Sequence, residues 1–394
     1  LLQDIWAGRE TLNFALPERA LAVEPADVLT LTFDGDSRTV MVTRVEEAGL
    51  RRIEARTIDP DILAPVPTAA RIVPPLPAPG LSRPEVMLLD LPLLTGTEPG
   101  YAPHVAVFAA PWPGAVALSV GTADSGFVAR QTLDRRAVMG ELTAALPGGP
   151  SARWDRGNAI EVRLYGGSVS GQPELAVLNG ANVAAIGTTD TGFEVVQFET
   201  ATPTGSNTWL LEGLLRGQAG TGDIAAAGHA PGARFVLLDA AVVSLGLSEA
   251  ESGLSLTLRA GAAGAVYDPA TFVDVAIPRA RRGLMCLSPV HVTAVRDGDS
   301  GDIAIAWMRQ TRMGGDSWDP VEVPLGETSE AYAVSILSGA TVVRTLSVGA
   351  PAATYAAADQ TADFGTPPDT ISLSISQVSP TEGPGLAAAG EFDV

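Results

Sequence analysis

The sequence predicts a mainly β, multi-domain protein, and three observations carry that expectation. Its apolar runs are short, about four to eight residues, and end at Gly, Pro or Asn. Glycine (42) and proline (30) exceed their usual share, while charged residues fall to 18%. A proline-dense stretch, "APVPTAARIVPPLPAPG" (64–80), separates two regions and favours extended polyproline geometry, as a semi-rigid spacer does.

In order along the chain, residues 1–63 read as a small β domain. "TLNFALPERALAV" and "DVLTLTF" alternate, "DGDS" (34–37) supplies a tight turn, and "RTVMVTRV" returns as a second strand. After the linker at 64–80, residues 81–286 form a β-rich middle region of one or two domains. Its expected strands are "HVAVFAA", "AIEVRLYGG", "ELAVLNG", "FEVVQFETA" and "ARFVLLD". One helix is expected there, over 135–146, because Val138, Leu142 and Leu146 recur at i, i+4 and i+8. "GGSVSG" (166–171) has the composition of a hairpin loop.

Residues 287–394 alternate most cleanly. Ile303, Ile305 and Trp307 share one strand face; Tyr332, Val334 and Ile336 share another; Ile371, Leu373 and Ile375 alternate with serines. Period-2 strands with a lone tryptophan and no cysteine pair predict a fibronectin type III or immunoglobulin-like sandwich.

Composition excludes several functions. The net charge is −20 and all 25 cations are arginine, which opposes contact with nucleic acid or anionic lipid. The arginine clusters Arg51-Arg52, Arg135-Arg136 and Arg279–Arg282 are short and lie beside acids or prolines, as solvated faces or interface pairs do. The single Cys286, in "GLMCLSP", excludes a disulfide framework and reads as a small buried hydrophobe. No apolar run is long enough for a membrane-spanning helix; the best, 235–247, is broken by Asp239. No secretion signal opens the chain. Its first residue, Leu1, is not methionine, so a piece of a longer polypeptide made in the cytoplasm is expected.

Chemistry-bearing groups do not converge, so no catalytic residue, no cofactor site and no metal site is expected. His104, His229 and His291 share no ligand spacing. "GGSVSG" fails the spacing of a nucleophile elbow. Asp297, Asp299 and Asp302 in "RDGDSGD" lack the glutamate of a calcium loop, because the twelfth position is Met308; a hairpin turn is the simpler reading. The segment "TWLLEGLLRGQAGTG" (208–222) invites a phosphate-loop reading, but a Walker loop requires a lysine. A dinucleotide fingerprint requires a following helix, and "DIAAAGHAPGARF" is interrupted at Gly228, Pro231 and Gly232.

That same stretch resembles the "LLRGxxGT" element of large tail-tip proteins of long-tailed bacteriophages and of alphaproteobacterial gene transfer agents. Further landmarks of that family stand in order: "LDLPLL" (89–94), "APWPG" (110–114), "LNGANVAAIG" (178–187), "SPVHVTAVRDGDSGDIAIAWMRQTRMGGDSW" (288–318), "VPLGE" (323–327) and "TYAAADQTADFG" (354–365). The opening "IWAGRETLNFALPERALAVEPADVLTL" resembles the small β domain of tail hubs in the same family. Ala219 and Gln310 stand where the family often carries a basic residue.

The resemblance implies a structural virion protein, not an enzyme: a homotrimeric hub at the tail tip. Its partners would be other baseplate proteins (hub and distal tail) and the host outer-membrane surface or lipopolysaccharide. Its work would be assembly, attachment and opening of the tail channel. In that role the glycines of 217–222 are turns that permit close approach, and the paired leucines are core or interface. The alternative is a glycan-binding module, for which Trp112, Trp154 and Trp318 are the candidate contacts because they sit in loop-like contexts. Burial against Pro and Gly turns is the competing account of those three.

Overall fold

The computed structural model describes residues 2–63, 80–123, 125–315 and 323–394. The chain is mainly β and divides into two compact units, Leu1–Pro77 and Ala78–Val394. The expected linker lies, but for Gly80, outside the described residues.

In the first unit, helix α1 (Leu2–Ala7) precedes strands β1 (Thr11–Leu16), β2 (Val28–Phe33), β3 (Asp36–Glu47) and β4 (Arg51–Thr57). They form one antiparallel sheet in the order β1-β4-β3-β2. The "DGDS" turn is a two-residue hairpin loop: Phe33 pairs with Asp36, and Asp34 and Gly35 both take positive φ. That is the primed geometry whose twist matches the flanking strands. Alternation puts Val40, Val42, Ile53 and Ala55 on one face, packed by Leu12, Phe14 and Leu31. Arg51, nearly buried, donates to the carbonyls of Ala20 and Val23 and so ties the 17–27 loop to the sheet.

The second unit opens with β5 (Glu85–Leu89), β6 (His104–Phe108), β7 (Val116–Thr122) and β8 (Ser125–Leu133). Next come β9 (Met139–Leu142), β10 (Ile160–Leu164), helix α2 (Glu174–Leu178), β11 (Val183–Thr188), β12 (Gly192–Gly205), β13 (Thr208–Gln218), helix α3 (Gly222–Ala227) and β14 (Arg234–Leu237). The chain continues through β15 (Val243–Ser244), β16 (Thr257–Ala262) and β17 (Val273–Ala276). It ends in β18 (Val290–Arg296), β19 (Ile303–Met308), β20 (Tyr332–Ser338), β21 (Thr341–Val348), β22 (Ala352–Tyr355), helix α4 (Ala357–Phe364), β23 (Thr370–Ser379) and β24 (Gly383–Asp393).

Strands β10-β13-β12-β11-β14-β9 close a six-stranded barrel, filled by Leu142, Ile160, Val162, Val196, Phe198, Leu211, Leu214 and Phe235. Outside it lies the sheet β15-β6-β5, and beyond that the sheet β17-β16-β7-β8. The middle sheet is apolar on both faces. Leu89, Ala106 and Phe108 meet Met139, Phe193 and Val236 of the barrel, while Leu88, Val105 and Val107 meet Leu118, Val120 and Leu258 of the outer sheet. That is why β6 is buried at every position and, after His104, reads as an unbroken apolar run.

Residues 287–394 contain two facing antiparallel sheets, β18-β19-β22 and β21-β20-β23-β24. All nine alternating residues singled out in the sequence point into their shared core. Trp307 and Tyr332 meet edge to face across it, ring centroids 5.1 Å apart.

Three local expectations are corrected. Residues 135–146 are not a helix; they contain β9. Val138, Leu142 and Leu146 all pack in the barrel core, and offsets of four and eight are even, so an extended chain gathers them on one face as a helix would. "ELAVL" is not a strand but the one-turn helix α2, begun after Pro173, with Val177 its one buried residue. "GGSVSG" is not a hairpin loop. The strands that flank it, β10 and β11, are not neighbours, and the segment crosses the barrel end with Val169 in the core.

Candidate functional site

The segment "TWLLEGLLRGQAGTG" builds β13, the turn after it and the start of α3. Leu211 and Leu214 enter the barrel core, and Leu215 is buried as well. Where β13 leaves the barrel, Arg216 turns inward and is 0% exposed, as is Glu194 of β12. The guanidinium grips that carboxylate with two parallel bonds: Nε donates to Oε1 at 2.6 Å and Nη2 to Oε2 at 2.8 Å. Its remaining donors reach the carbonyls of Pro147 (3.1 Å) and Ala225 (3.3 Å), and Nη1 lies 3.6 Å from Asp155 Oδ2. Glu194 is satisfied in turn by His229 Nε2 at 2.8 Å and by the backbone N–H of Gly217 at 3.0 Å.

Burial pushes the Glu194 carboxyl up, but the His229 and Arg216 hydrogen bonds outweigh it and hold it below the usual carboxylate range. Burial likewise raises Asp155, and bonds from the side chain and N–H of Asn158 and the N–H of Gly157 bring it below its ordinary value. Both carboxylates are therefore ionised at neutral pH, and the single Arg216 guanidinium binds Glu194 directly with Asp155 close by. The cluster's bonds end on its own members and on neighbouring backbone, so its chemistry is spent on holding β12, β13, α3 and the 147–158 loop together.

The glycines then turn the chain. Gly217 (φ +63) passes so close to Gly222 that a Cβ would stand 2.8 Å from its Cα. Gly220 (φ +82) gives its space to Leu287. Thr221 Oγ1 accepts from Val195 N–H (3.0 Å) and donates to the Gln218 carbonyl (2.8 Å), pinning the turn to β12. A short helix of six residues does follow the glycines, and it breaks at Gly228, where the sequence reading put the interruption.

The other singled-out residues stay apart. His104 is buried in β6, His229 belongs to the Glu194 cluster and His291 is exposed. Among the described residues no group of three His, Cys, Asp or Glu could hold a metal ion. Asp297 makes the β18–β19 hairpin turn, its Oδ1 accepting from the N–H groups of Asp299 (3.0 Å) and Ser300 (2.7 Å); Asp302 accepts from Ala357 N–H at the start of α4. Cys286 is buried, and burial followed by the nearby Glu327 charge pushes its thiol up to about 11. Trp112 is half-buried against the Leu118 core, with Nε1 donating to Gly114 O at 3.0 Å. Trp154 is half-buried, with the Arg156 guanidinium 5.0 Å from its ring centroid. Trp318 lies outside the described residues. Sequence reasoning missed Glu194 and Asp155; for Glu194 the available signal was a lone acid inside the apolar run "FEVVQF", and Asp155 in "ARWDRGN" carried none.

His104 yields a pH prediction. Burial lowers its pKa, with the Glu98 charge partly offsetting this. The unfolded chain then binds more protons than the folded one just below about pH 6.5, so stability falls as pH drops through that value. The melting temperature is expected to fall between about pH 7.5 and 5.5, and His104→Leu to flatten that slope, both read by circular dichroism at matched ionic strength.

Two family models match the chain. One, described as Rcc01698-like, C-terminal, covers residues 137–236 and so coincides with the barrel strands β9–β14. The other, described as a putative phage tail protein, covers residues 1–45, in the first unit. No curated protein matches. The two family matches fit a phage tail protein, support a structural role in a tail, and suggest a virion-associated chain linked to gene transfer agents. No helix among the described residues is long and apolar enough to cross a membrane.

Proposed function

We propose that this chain is part of the tail-tip hub of a long-tailed phage or gene transfer agent, that it acts as a homotrimer, and that it takes part in tail assembly, host attachment and opening of the channel for DNA delivery. The observation that carries the reading is the pair of family matches, which fall in two separate compact units of one chain. The motif "LLRGQAGT" adds support. Its arginine and glycines are fully engaged in building one corner of the barrel, so a rigid assembly part uses the motif as well as an enzyme would.

In this reading the chain is not an enzyme. The partners are neighbouring baseplate proteins and the host outer-membrane surface or lipopolysaccharide. The C-terminal sandwich, read as fibronectin type III-like from its three-plus-four strand order, is a peripheral domain suited to outward display. Cryo-electron microscopy of intact particles tests this. Density for three copies around the axis at the distal end of the tail is the expected result, and particles that lack the chain would overturn the assignment.

A further inference from the structure

The expected boundary near residue 286 is occupied by a strap, "PRARRGLMCLSP" (278–289), whose contacts differ in kind from those inside either neighbour. The N–H groups of Arg281 and Arg282 both donate to the Asp90 carboxylate, which follows β5 (3.1 and 2.9 Å to Oδ1). Arg282 donates to Asp223 of α3 (Nη1 to Oδ2, 3.0 Å) and to the Gly220 carbonyl (2.8 Å). Arg279 and Arg281 both reach Glu382, in the β23–β24 turn of the sandwich, at 2.7 and 3.1 Å. The Glu382 side chain is only 6% exposed, whereas the two arginines are about half exposed.

What is missing at this junction is an apolar core. Among the described residues each hydrophobic cluster of the second unit lies wholly on one side of the strap. A cleft of about 420 Å³ opens between the two sides, bordered by Pro92, Leu94 and Gln218 on one and Arg312 and Gly315 on the other. The neutral anchor is small: Leu386 N–H donates to Cys286 O at 3.0 Å, where Gly385 leaves the space that any side chain would fill.

We infer that this strap is an ionic latch: the Arg279/Arg281–Glu382 pairs hold the C-terminal sandwich against the barrel body, and breaking them lets the sandwich turn about Cys286 as an intact unit. A junction fastened by charge and not by buried apolar surface reorients at small cost. Charges at half-exposed positions are also sensitive to salt, since the screening length falls from about 10 Å at about 0.1 M to about 3 Å at about 1 M. The inference does not rest on the tail assignment.

Trypsin reads the latch directly, because it cleaves after Arg279 and Arg281, the two arginines of the latch, and after Arg282 beside them. In Glu382→Gln, which keeps all three arginines, cleavage within 279–282 is expected to rise on the order of tenfold, tracking the population of the open form. The radius of gyration from small-angle scattering is expected to increase with an unchanged circular dichroism spectrum. Glu391→Gln, which removes an exposed acid elsewhere on the sandwich, is expected to change neither readout. For the unmodified chain, raising salt from about 0.1 to about 1 M is expected to produce the same two changes, after normalising to cleavage of a short arginine peptide. Unchanged cleavage and size in both Glu382→Gln and high salt would overturn the latch, as would an equal response in Glu391→Gln. If Glu382→Gln fails to fold, the salt series decides alone.

Discussion

Replacing Glu194 with alanine is expected to cost about 3–5 kcal/mol of stability, the cost of removing one partner from a buried ion pair. The reason is the state left behind. Arg216 is 0% exposed, and without Glu194 its nearest remaining carboxylate is Asp155, at 3.6 Å and beyond hydrogen-bonding distance. His229 Nε2 and the Gly217 N–H lose their acceptor in the same step. Arg216→Met is expected to be about as harmful, because it leaves the buried Glu194 with only His229 and the Gly217 N–H and no fixed positive charge. The double variant Glu194→Ala with Arg216→Met is expected to cost clearly less than the two singles added, since desolvating both charges offsets most of what the pair gains. Urea unfolding of the four proteins gives that coupling directly. Additive costs would mean that the two side chains act independently, and the account of the motif would be wrong.

Gly217→Ala is expected to destabilise by about 2–4 kcal/mol, combining the strain of a non-glycine residue at positive φ with overpacking. The new methyl would sit 2.8 Å from Gly222 Cα and 3.2 Å from Ser151 Cβ, so backbone as well as side chain must move. Because the Gly217 N–H is one of the donors to Glu194, the shift also disturbs the buried pair. Gly232→Ala is the control: it has positive φ as well, but nothing lies within 4 Å of its added carbon. The difference between the two melting temperatures isolates the crowding. Equal losses would assign the whole effect to backbone conformation.

The sandwich was the most legible part of the fold. One face of each strand meets one core there, so Ile303, Ile305, Trp307 and their partners alternate without interruption. The barrel region was harder for a physical reason. Val138, Leu142 and Leu146 all face the barrel core, and their even offsets fit one face of an extended chain as well as one face of a helix. The helix α2 hides Val177 alone and leaves Leu175 and Leu178 exposed, so its composition said strand. In the candidate site, Gly217 and Gly220 were legible as turns that permit close approach. The partner of Arg216 was not legible. Glu194 lies 22 residues away, and only closure of β12 against β13 brings the two together.

The middle sheet has a consequence for how this chain reaches its native state. Strand β6 is completed by β15, and β7 by β16, both of which are synthesised after the whole barrel. The barrel is therefore an insertion within a split two-layer body, and its own strands run without interruption from Met139 to Leu237. On the ribosome the barrel can close from a contiguous segment, while β6 and β7 each wait with one edge unpaired for a partner more than a hundred residues downstream. Strand β6, buried at every position, thus gains the partner on its second edge only after the whole barrel has been made.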